Sequence, residues 1–234
     1  YTSGLIHRLS QFSSKAFDYM VYHTSSQYDY YKEHFPWLKD RCKFVPFGVD
    51  YNYWKLKTYK DIPEKDQYIV CVGYRKRDWS TLLKAFDRID IPEKLYLIGN
   101  PDIKCDNPKV KVLPFIPIEK LMTYIINSKF SVVPLDDFNY SFGQMTLLQQ
   151  MALGVPILAA DVPAIHDYIK CSVGVMPYTA YDINELALRL KEMASKTKED
   201  LRVMGDKNKL AIQTILSEKE MAVQFEEIIK QVLN

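Results

Sequence analysis

The feature that most limits how this chain can fold is a regular alternation of short apolar runs with longer amphipathic stretches, which begins at residue 68. The runs are rich in Val, Ile and Leu and lie at 68–72, 94–98, 110–113, 130–133, 157–159 and 174–176. Most are apolar on both faces, which is typical of parallel strands covered by helices on both sides. The pattern predicts an α/β fold built on a parallel sheet.

The stretches between the runs predict amphipathic helices, each of which packs one apolar stripe against the sheet. Parallel strands that alternate with such helices form a Rossmann-like unit. One such stripe follows Pro117 and consists of Ile118, Leu121, Met122, Ile125 and Ile126. Asp182 with Glu185, and Ser217 with Glu220, have the spacing of a capping box. We therefore expect two C-terminal helices, and the apolar stripe of the last one needs a surface to cover.

The first part of the chain has a different pattern, with a helix predicted near 4–16, a strand near 19–24, a helix near 26–34 and then an aromatic stretch. We interpret residues 1–44 as the remnant of an N-terminal domain and 45–60 as a linker. Residues 61–216 form the predicted Rossmann-like domain, and 217–234 a C-terminal crossing helix. The chain does not begin with Met, which is consistent with a processed or truncated piece of a longer protein.

Composition excludes several classes of protein. The 31 basic and 29 acidic residues nearly cancel to a formal charge of +2, unlike the one-sided balance of a nucleic-acid binder. The four cysteines are widely spaced, so neither a zinc site nor a disulfide framework is predicted. No apolar run approaches the roughly 18 residues that span a bilayer. We expect a cytoplasmic protein, either free or peripheral at a membrane surface.

One candidate site surrounds Gly143, where a strand ends, a loop turns and a helix begins. The glycine permits close backbone approach, and the amides of Gln144, Met145 and Thr146 would point outward from the first helical turn, where a diphosphate would bind well. Gln149 shares a helix face with Met145, so its amide could reach a ribose hydroxyl. Glycine-containing joints of this kind also occur in any α/β protein, which is the competing interpretation.

A second candidate site follows the first predicted strand, where Gly73 precedes three basic residues. In such sheets this is the edge that binds ligands. For Arg75 and Lys76, contact with a bound anion and a solvated loop charge are equally good interpretations. Arg77 is next to Asp78, a predicted helix cap, and is the residue that we expect to bind the anion.

These residues lie in motifs that resemble a known family, the family 4 glycosyltransferases and their GT-B relatives, in their C-terminal, donor-binding half. The motifs are FVPFGVDYNYW, VGYRKRDWSTLLKAF, LIGNP, FIPIEKL and SFGQMTLLQQMALGVPILAAD, and they extend over most of the chain. The resemblance implies the C-terminal half of a GT-B fold, with residues 1–44 as the remnant of its acceptor-side domain.

The resemblance also implies roles for particular positions. In that family two glutamates separated by seven residues contact the donor sugar and the ribose, and here these positions are Ser141 and Gln149. The nucleobase would lie against Phe115 and Ile116, mainly through their backbone groups, although a core role for Phe115 is an equal alternative. Arg77 would stabilise the leaving diphosphate.

The implied reaction is transfer of a sugar from a UDP- or GDP-linked donor to a hydroxyl of a glycan, lipid or protein acceptor, without a metal or other cofactor. A base or other acceptor-side residues are expected outside this chain, in an N-terminal domain or a partner chain, so the isolated chain is expected to be inactive. Two alternatives remain, a GT-B-type sugar-nucleotide epimerase and a non-catalytic donor-binding subunit of a split enzyme.

Overall fold

The structure, a computed structural model, describes residues 4–54, 67–73, 75–99, 102–138 and 140–233. Part of the predicted linker (55–60) and the start of the predicted domain (61–66) lie outside the described residues. So do Tyr74, Asn100 and Pro101 of the quoted motifs.

The described residues form eight strands and ten α-helices. The strands are β1 (Met20–Tyr22), β2 (Cys42–Phe44), β3 (Tyr68–Val72), β4 (Lys94–Ile98), β5 (Val110–Leu113), β6 (Phe130–Val133), β7 (Ile157–Asp161) and β8 (Val175–Thr179). The helices are α1 (Gly4–Ser14), α2 (Gln27–His34), α3 (Tyr51–Trp54), α4 (Trp79–Asp87), α5 (Ile118–Ile126), α6 (Gln144–Ala152), α7 (His166–Ile169), α8 (Ile183–Ser195), α9 (Lys198–Thr214) and α10 (Glu218–Leu233). A 3₁₀ turn at Pro36–Leu38 precedes β2.

Six strands form one parallel sheet in the order β5-β4-β3-β6-β7-β8. The predicted α/β fold and its six strands are confirmed, the first four with the bounds that the sequence indicated. Along the sheet the chain runs outward from β3 to one edge and then from β6 to the other. The strand order therefore reverses between β3 and β6, and Rossmann-like folds bind ligands at the carboxyl ends of the strands at such a point.

The core of the protein lies on both faces of this sheet. Three consecutive residues of β3, Ile69, Val70 and Cys71, are all fully buried, although their side chains alternate between the faces. Such two-sided burial explains why the strands appear in the sequence as continuous apolar runs.

The C-terminal part contains three helices, so the expectation of two was wrong. The unexpected helix, α9, begins at a complete capping box in which Thr197 and Asp200 bond each other's backbone amides. Its buried residues include Gly205 and Asn208, which interrupt the apolar stripe that would have indicated a helix. The predicted caps are present as well, because Asp182 accepts from the amides of α8 and the Ser217 hydroxyl accepts from the amide of Glu220.

Helix α9 packs closely against the turn after α6. A Cβ added at Gly205 would lie 2.0 Å from the carbonyl oxygen of Gly154. The fully buried Asn208 donates to the carbonyls of Val155 and Gly174 at 2.8 and 3.2 Å, and accepts from the Ser172 hydroxyl at 2.6 Å. This amide therefore connects α9 to the loop before β7 and to the loop before β8.

Residues 4–49, called here the N-terminal segment, contain the parallel pair β1–β2 and dock against the last helix. The amide of Gly48 donates to the sulfur of Met221 at 3.4 Å, and Val49 forms a parallel bridge with Ser217. Of the predicted apolar stripe on α10, Ile228 is buried whereas Ile229 is 55% exposed. The last helix thus covers part of the N-terminal segment.

None of the helices in the described part of the chain is both long enough and apolar enough to cross a membrane.

Candidate functional site

A pocket of about 430 Å³ lies at the carboxyl ends of β3 and β6, where the strand order reverses. Its walls come from the loop after β3, the loop and first turn of α6 after β6, and the N-terminal segment. The lining residues are His23, Phe47, Gly73, Arg75, Arg77, Ser141, Phe142, Gly143, Gln144, Met145 and Thr146.

The first turn of α6 forms one wall of this pocket. Gly143 is the N-cap, with a left-handed backbone at φ 83°, and no side chain caps the turn among the described residues. A Cβ at this position would lie 2.6 Å from the Leu135 side chain, so both conformation and space require glycine. The uncapped amides of the first turn therefore remain available to an anion in the pocket.

Arg77 is held in place beside this helix terminus. Its side chain donates from Nε to the carbonyl of Val72 at 3.2 Å, from Nη1 to the carbonyl of Arg75 at 3.1 Å, and from Nη2 to the hydroxyl of Thr146 at 3.1 Å. A guanidinium carries more N–H groups than these three bonds use, so donors remain for a ligand. The following residue, Asp78, caps α4 by accepting from the amide of Thr81, as predicted.

The charge of Arg77 is buried and has no carboxylate in direct contact among the described residues. Arg77 is 8% exposed, and among the described residues no carboxylate forms an ion pair with it. Burial lowers the pKa of the guanidinium, which stays charged because arginine titrates far above neutral pH. The nearby Asp136 carboxyl has its pKa raised by burial and by Asp78, while Lys76 and Arg77 act in the opposite direction. The charge of Asp136 offsets less than the burial of Arg77 costs. All the direct acceptors of the guanidinium are neutral, so a bound anion would offset more of the cost of burying this cation.

Gly73 makes room for the guanidinium. Its φ is 126°, and a Cβ built there would lie 2.7–2.8 Å from three atoms of the Arg77 guanidinium. Gly99, at the end of β4, is similarly constrained, with a φ of 101° and the Phe115 ring and the Gly73 carbonyl within 3.5 Å of its own Cβ position. These glycines let the ends of neighbouring strands lie close to the pocket.

The N-terminal segment closes the pocket through contacts that the sequence did not indicate. The Tyr168 hydroxyl of α7 accepts from the amide of Phe47 at 2.9 Å and donates to the carbonyl of His23 at 2.6 Å. Asp167 binds both the amide and the hydroxyl of Ser25 at 2.7 Å. These partners are 121 to 145 residues apart in sequence, so no local sequence pattern could have predicted that His23 or Phe47 lines the pocket.

Eight of the residues predicted for the site line the pocket. They are Gly73, Arg75, Arg77, Ser141, Gly143, Gln144, Met145 and Thr146. Two of them also make contacts elsewhere. The side chain of Gln144 is buried and donates to the carbonyl of Ala164 at 2.8 Å, and the Ser141 hydroxyl donates to Oε1 of Gln27 at 3.3 Å.

Four predicted residues, Lys76, Phe115, Ile116 and Gln149, are not among the pocket-lining residues, and their roles stay predictions. Lys76 has a positive φ of 55° and its ammonium lies 3.9 Å from the centre of the Phe138 ring. Phe115 is 65% exposed next to Gly99, so it is not a core residue.

Strand order and pocket together define a Rossmann-like α/β domain with a pocket at the switch point of its sheet. The chain belongs to the family described as glycosyl transferases group 1, whose model matches residues 66–196, more than half of its length.

Solved structures share this fold. Sucrose-phosphate synthase from Thermosynechococcus elongatus has a TM-score of 0.77 at 18% identity, over 100% of this chain and 64% of that one. For Anabaena HepE in complex with UDP the TM-score is 0.79 at 14% identity, over 99% and 69% of the two chains. A glycosyltransferase from Rickettsia africae gives 0.73 at 13% identity, over 97% and 67%.

At these identities the likeness shows the fold alone, and the chain spans about two thirds of each of these relatives. No curated protein sequence matches it.

Proposed function

We propose that this chain is the donor-binding half of a glycosyltransferase that transfers a sugar from a UDP- or GDP-linked donor to an acceptor hydroxyl. The observation that carries the proposal is the buried guanidinium of Arg77, which forms no close ion pair with a carboxylate among the described residues and lies beside the uncapped first turn of α6. A diphosphate would bind both features at once. Membership of the glycosyl transferases group 1 family supports this choice of anion, as does the UDP bound to the similar fold of HepE.

In the proposed reaction the bond between the anomeric carbon and the phosphate oxygen breaks, and its electron pair stays on the leaving diphosphate. The acceptor oxygen forms the new bond to the anomeric carbon and releases its proton. Negative charge grows on the diphosphate as the bond breaks, so the remaining N–H groups of Arg77 and the amides of Gln144, Met145 and Thr146 would bind the transition state better than the donor.

Thr146 has a second role in this proposal. Its hydroxyl oxygen accepts from Nη2 of Arg77 at 3.1 Å, which leaves its own hydrogen available to donate to a phosphate oxygen. Arg77 and Thr146 would thus bind the diphosphate as one hydrogen-bonded unit.

The sugar and the nucleoside would be held more weakly than by paired glutamates. Ser141 is short and uncharged, and it shares its hydroxyl with Gln27 of the N-terminal segment. Gln149 can donate to and accept from a ribose, and Phe115 and Ile116 are proposed to border the nucleobase. We propose that no metal is needed, because helix amides and arginine offset the diphosphate charge.

The acceptor site is proposed to lie outside this chain, in an N-terminal domain or a partner chain. Helix α1 exposes Leu5, Ile6, Leu9 and Phe12 on its surface, an apolar face that another domain would cover. Without the acceptor site the chain is expected to bind donor and transfer little sugar, since orienting both reactants is worth up to roughly 7–11 kcal/mol of barrier.

Calorimetry with UDP and GDP, each with and without chelator, tests the site. The Arg77→Ala variant is expected to bind the diphosphate more weakly by about 1.5–3 kcal/mol, the range for a hydrogen bond to a charged group, while binding of the nucleoside barely changes. Arg202→Ala is the matched control, because Arg202 is an exposed arginine whose partners are surface carboxylates.

Equal losses for nucleoside and diphosphate would remove Arg77 from its role, and binding that vanishes with chelator would refute the metal-free electrostatics. Product analysis with a labelled donor separates the alternatives. An epimerase would return an altered sugar without any acceptor, and a non-catalytic subunit would leave the donor intact even when the acceptor-side chain is supplied.

A further inference from the structure

His23 brings an imidazole from the N-terminal segment to the candidate pocket. The residue follows directly after β1 and lines the same pocket as Arg77 and Thr146. Two histidines elsewhere in the chain provide a comparison, since neither His34 nor His166 lines this pocket.

The His23 imidazole is held in one orientation. Its Nδ1 lies 2.8 Å from the carbonyl oxygen of Val45, which can only accept, so Nδ1 carries the hydrogen. The ring packs edge-on against Phe47 with 4.9 Å between centroids. The Tyr168 hydroxyl then fixes the backbone on both sides by bonding the His23 carbonyl and the Phe47 amide. Nε2 is left with no hydrogen-bond partner in the part of the chain that the structure describes.

The polar groups of the pocket that His23 lines favour an anion. The loop after β3 contributes the cationic Arg75 and Arg77, and the first turn of α6 contributes amides but no titratable side chain. From α7 the neighbours are the Tyr168 hydroxyl and the Asp167 carboxylate, and the latter is occupied by Ser25. A bound diphosphate would favour a positive charge on the His23 ring.

We propose that His23 binds the donor. Its imidazole takes up a proton when the diphosphate enters the pocket and then donates from Nε2 to a phosphate oxygen. This inference rests on the proposed function and assigns to the N-terminal segment a direct part in holding the leaving group. Because histidine changes charge between about pH 5 and 8, donor affinity should then rise as the pH falls through that range.

Calorimetry with UDP-glucose and with GDP-mannose, at about pH 6 and about pH 8, tests this inference. Both probes carry a diphosphate diester, whose own charge is constant over this range. For the wild type we expect roughly tenfold tighter binding at the lower pH. Near the middle of the range, two buffers of different ionisation enthalpy should reveal net proton uptake on binding.

His23→Asn is the informative variant. Its amide nitrogen can replace Nδ1 in donating to the carbonyl of Val45, but it has no group at the Nε2 position. We expect it to bind donor at the affinity that the wild type shows at high pH, with no pH dependence and no proton uptake. His166→Asn is the matched control, because His166 pairs with Asp161 at 2.6 Å away from the pocket, and it should keep the wild-type pH profile.

If His23→Asn fails to fold, His23→Gln replaces it. The longer side chain of glutamine can place a neutral amide donor at the Nε2 position. The donor affinity of this variant should also be independent of pH. Donor binding whose pH dependence survives in the folded variant would overturn the role of His23 and leave the proposed function standing. Failure of both donors to bind the wild type at either pH would overturn the proposed function, and this inference with it.

Discussion

Gly73→Ala is expected to disturb the candidate site through the side chain of Arg77. At a φ of 126° the backbone of residue 73 has a conformation that L-residues rarely adopt. The added methyl group would also lie 2.7–2.8 Å from the Arg77 guanidinium. A free arginine would simply move away, but this one is fixed by bonds to Val72, Arg75 and Thr146. The substitution must therefore strain the backbone and displace a hydrogen-bonded cation.

The backbone strain and the overlap with the guanidinium each contribute to the loss of stability. Backbone strain of this kind costs about 1–3 kcal/mol, and overpacking against a buried, fixed group costs a further amount of about 1–3 kcal/mol. Gly73→Ala should therefore lower the free energy of unfolding by about 2–6 kcal/mol. In an Arg77→Ala background the steric part disappears and only the backbone part remains. The two substitutions should couple by about 1–3 kcal/mol.

Urea denaturation followed by circular dichroism, on the wild type, the two single variants and the double variant, measures this coupling. Gly4→Ala is the control, because a Cβ at that position meets no atom within 4 Å. Additivity within about 0.5 kcal/mol would refute the proposed contact between Gly73 and the guanidinium. Gly73→Ala should also weaken diphosphate binding, since the displaced guanidinium no longer faces the pocket.

Two further predictions concern stability. Asn208→Ala should lower the free energy of unfolding by about 1–3 kcal/mol, because it leaves the buried carbonyl of Val155 without its donor and removes the bonds to the Gly174 carbonyl and the Ser172 hydroxyl. Asn184→Ala, at an exposed position, should cost less than about 1 kcal/mol, and similar losses for the two variants in urea denaturation would contradict this account. The second prediction concerns Glu185, whose pKa is lowered by hydrogen bonds from the side chain and amide of Thr179. The stability that this carboxylate contributes is therefore present above the pKa of Glu185 in the unfolded chain. It is lost as the pH falls through the lowered pKa of the folded protein. Glu185→Gln should flatten the acid limb of the stability curve between about pH 5 and 3, and an unchanged limb would show that the bond contributes nothing.

The sheet was predictable from the sequence because its strands are buried on both faces. Run 68–72 is apolar throughout and run 130–133 is apolar except for Ser131, and both runs end at a turn residue, Gly73 or Pro134. The last two strands are longer than predicted, since Asp161 and Thr179 pair through their backbones whatever their side chains are. Backbone pairing of this kind cannot be predicted from the hydropathy pattern of the sequence.

Elements that depend on tertiary contacts were missed. Strand β2 has three half-buried residues and exists because β1 lies beside it. Helix α9 was missed because the polar Asn208 occupies a position on its buried face.

Half of the candidate site followed from one rule of topology. Glycine and basic residues directly after β3, and the helix N-terminus after β6, had to converge if the sheet was parallel and reversed between those strands. The direction of a side chain within a loop does not follow from that rule, which is why Arg77 lines the pocket while the neighbouring Lys76 lies over Phe138. His23 and Phe47 come from a part of the chain whose docking the sequence does not encode locally.

The contact between the N-terminal segment and the last helix has a consequence for how the protein forms during synthesis. Gly48 and Met221 are 173 residues apart, and a ribosome must add all of the intervening chain before this pair can meet. Each strand of the large sheet can find its neighbours earlier, because β3, β4 and β5 follow one another closely. The N-terminal segment therefore leaves the ribosome ahead of the sheet, yet this contact cannot fix it until α10 has been made.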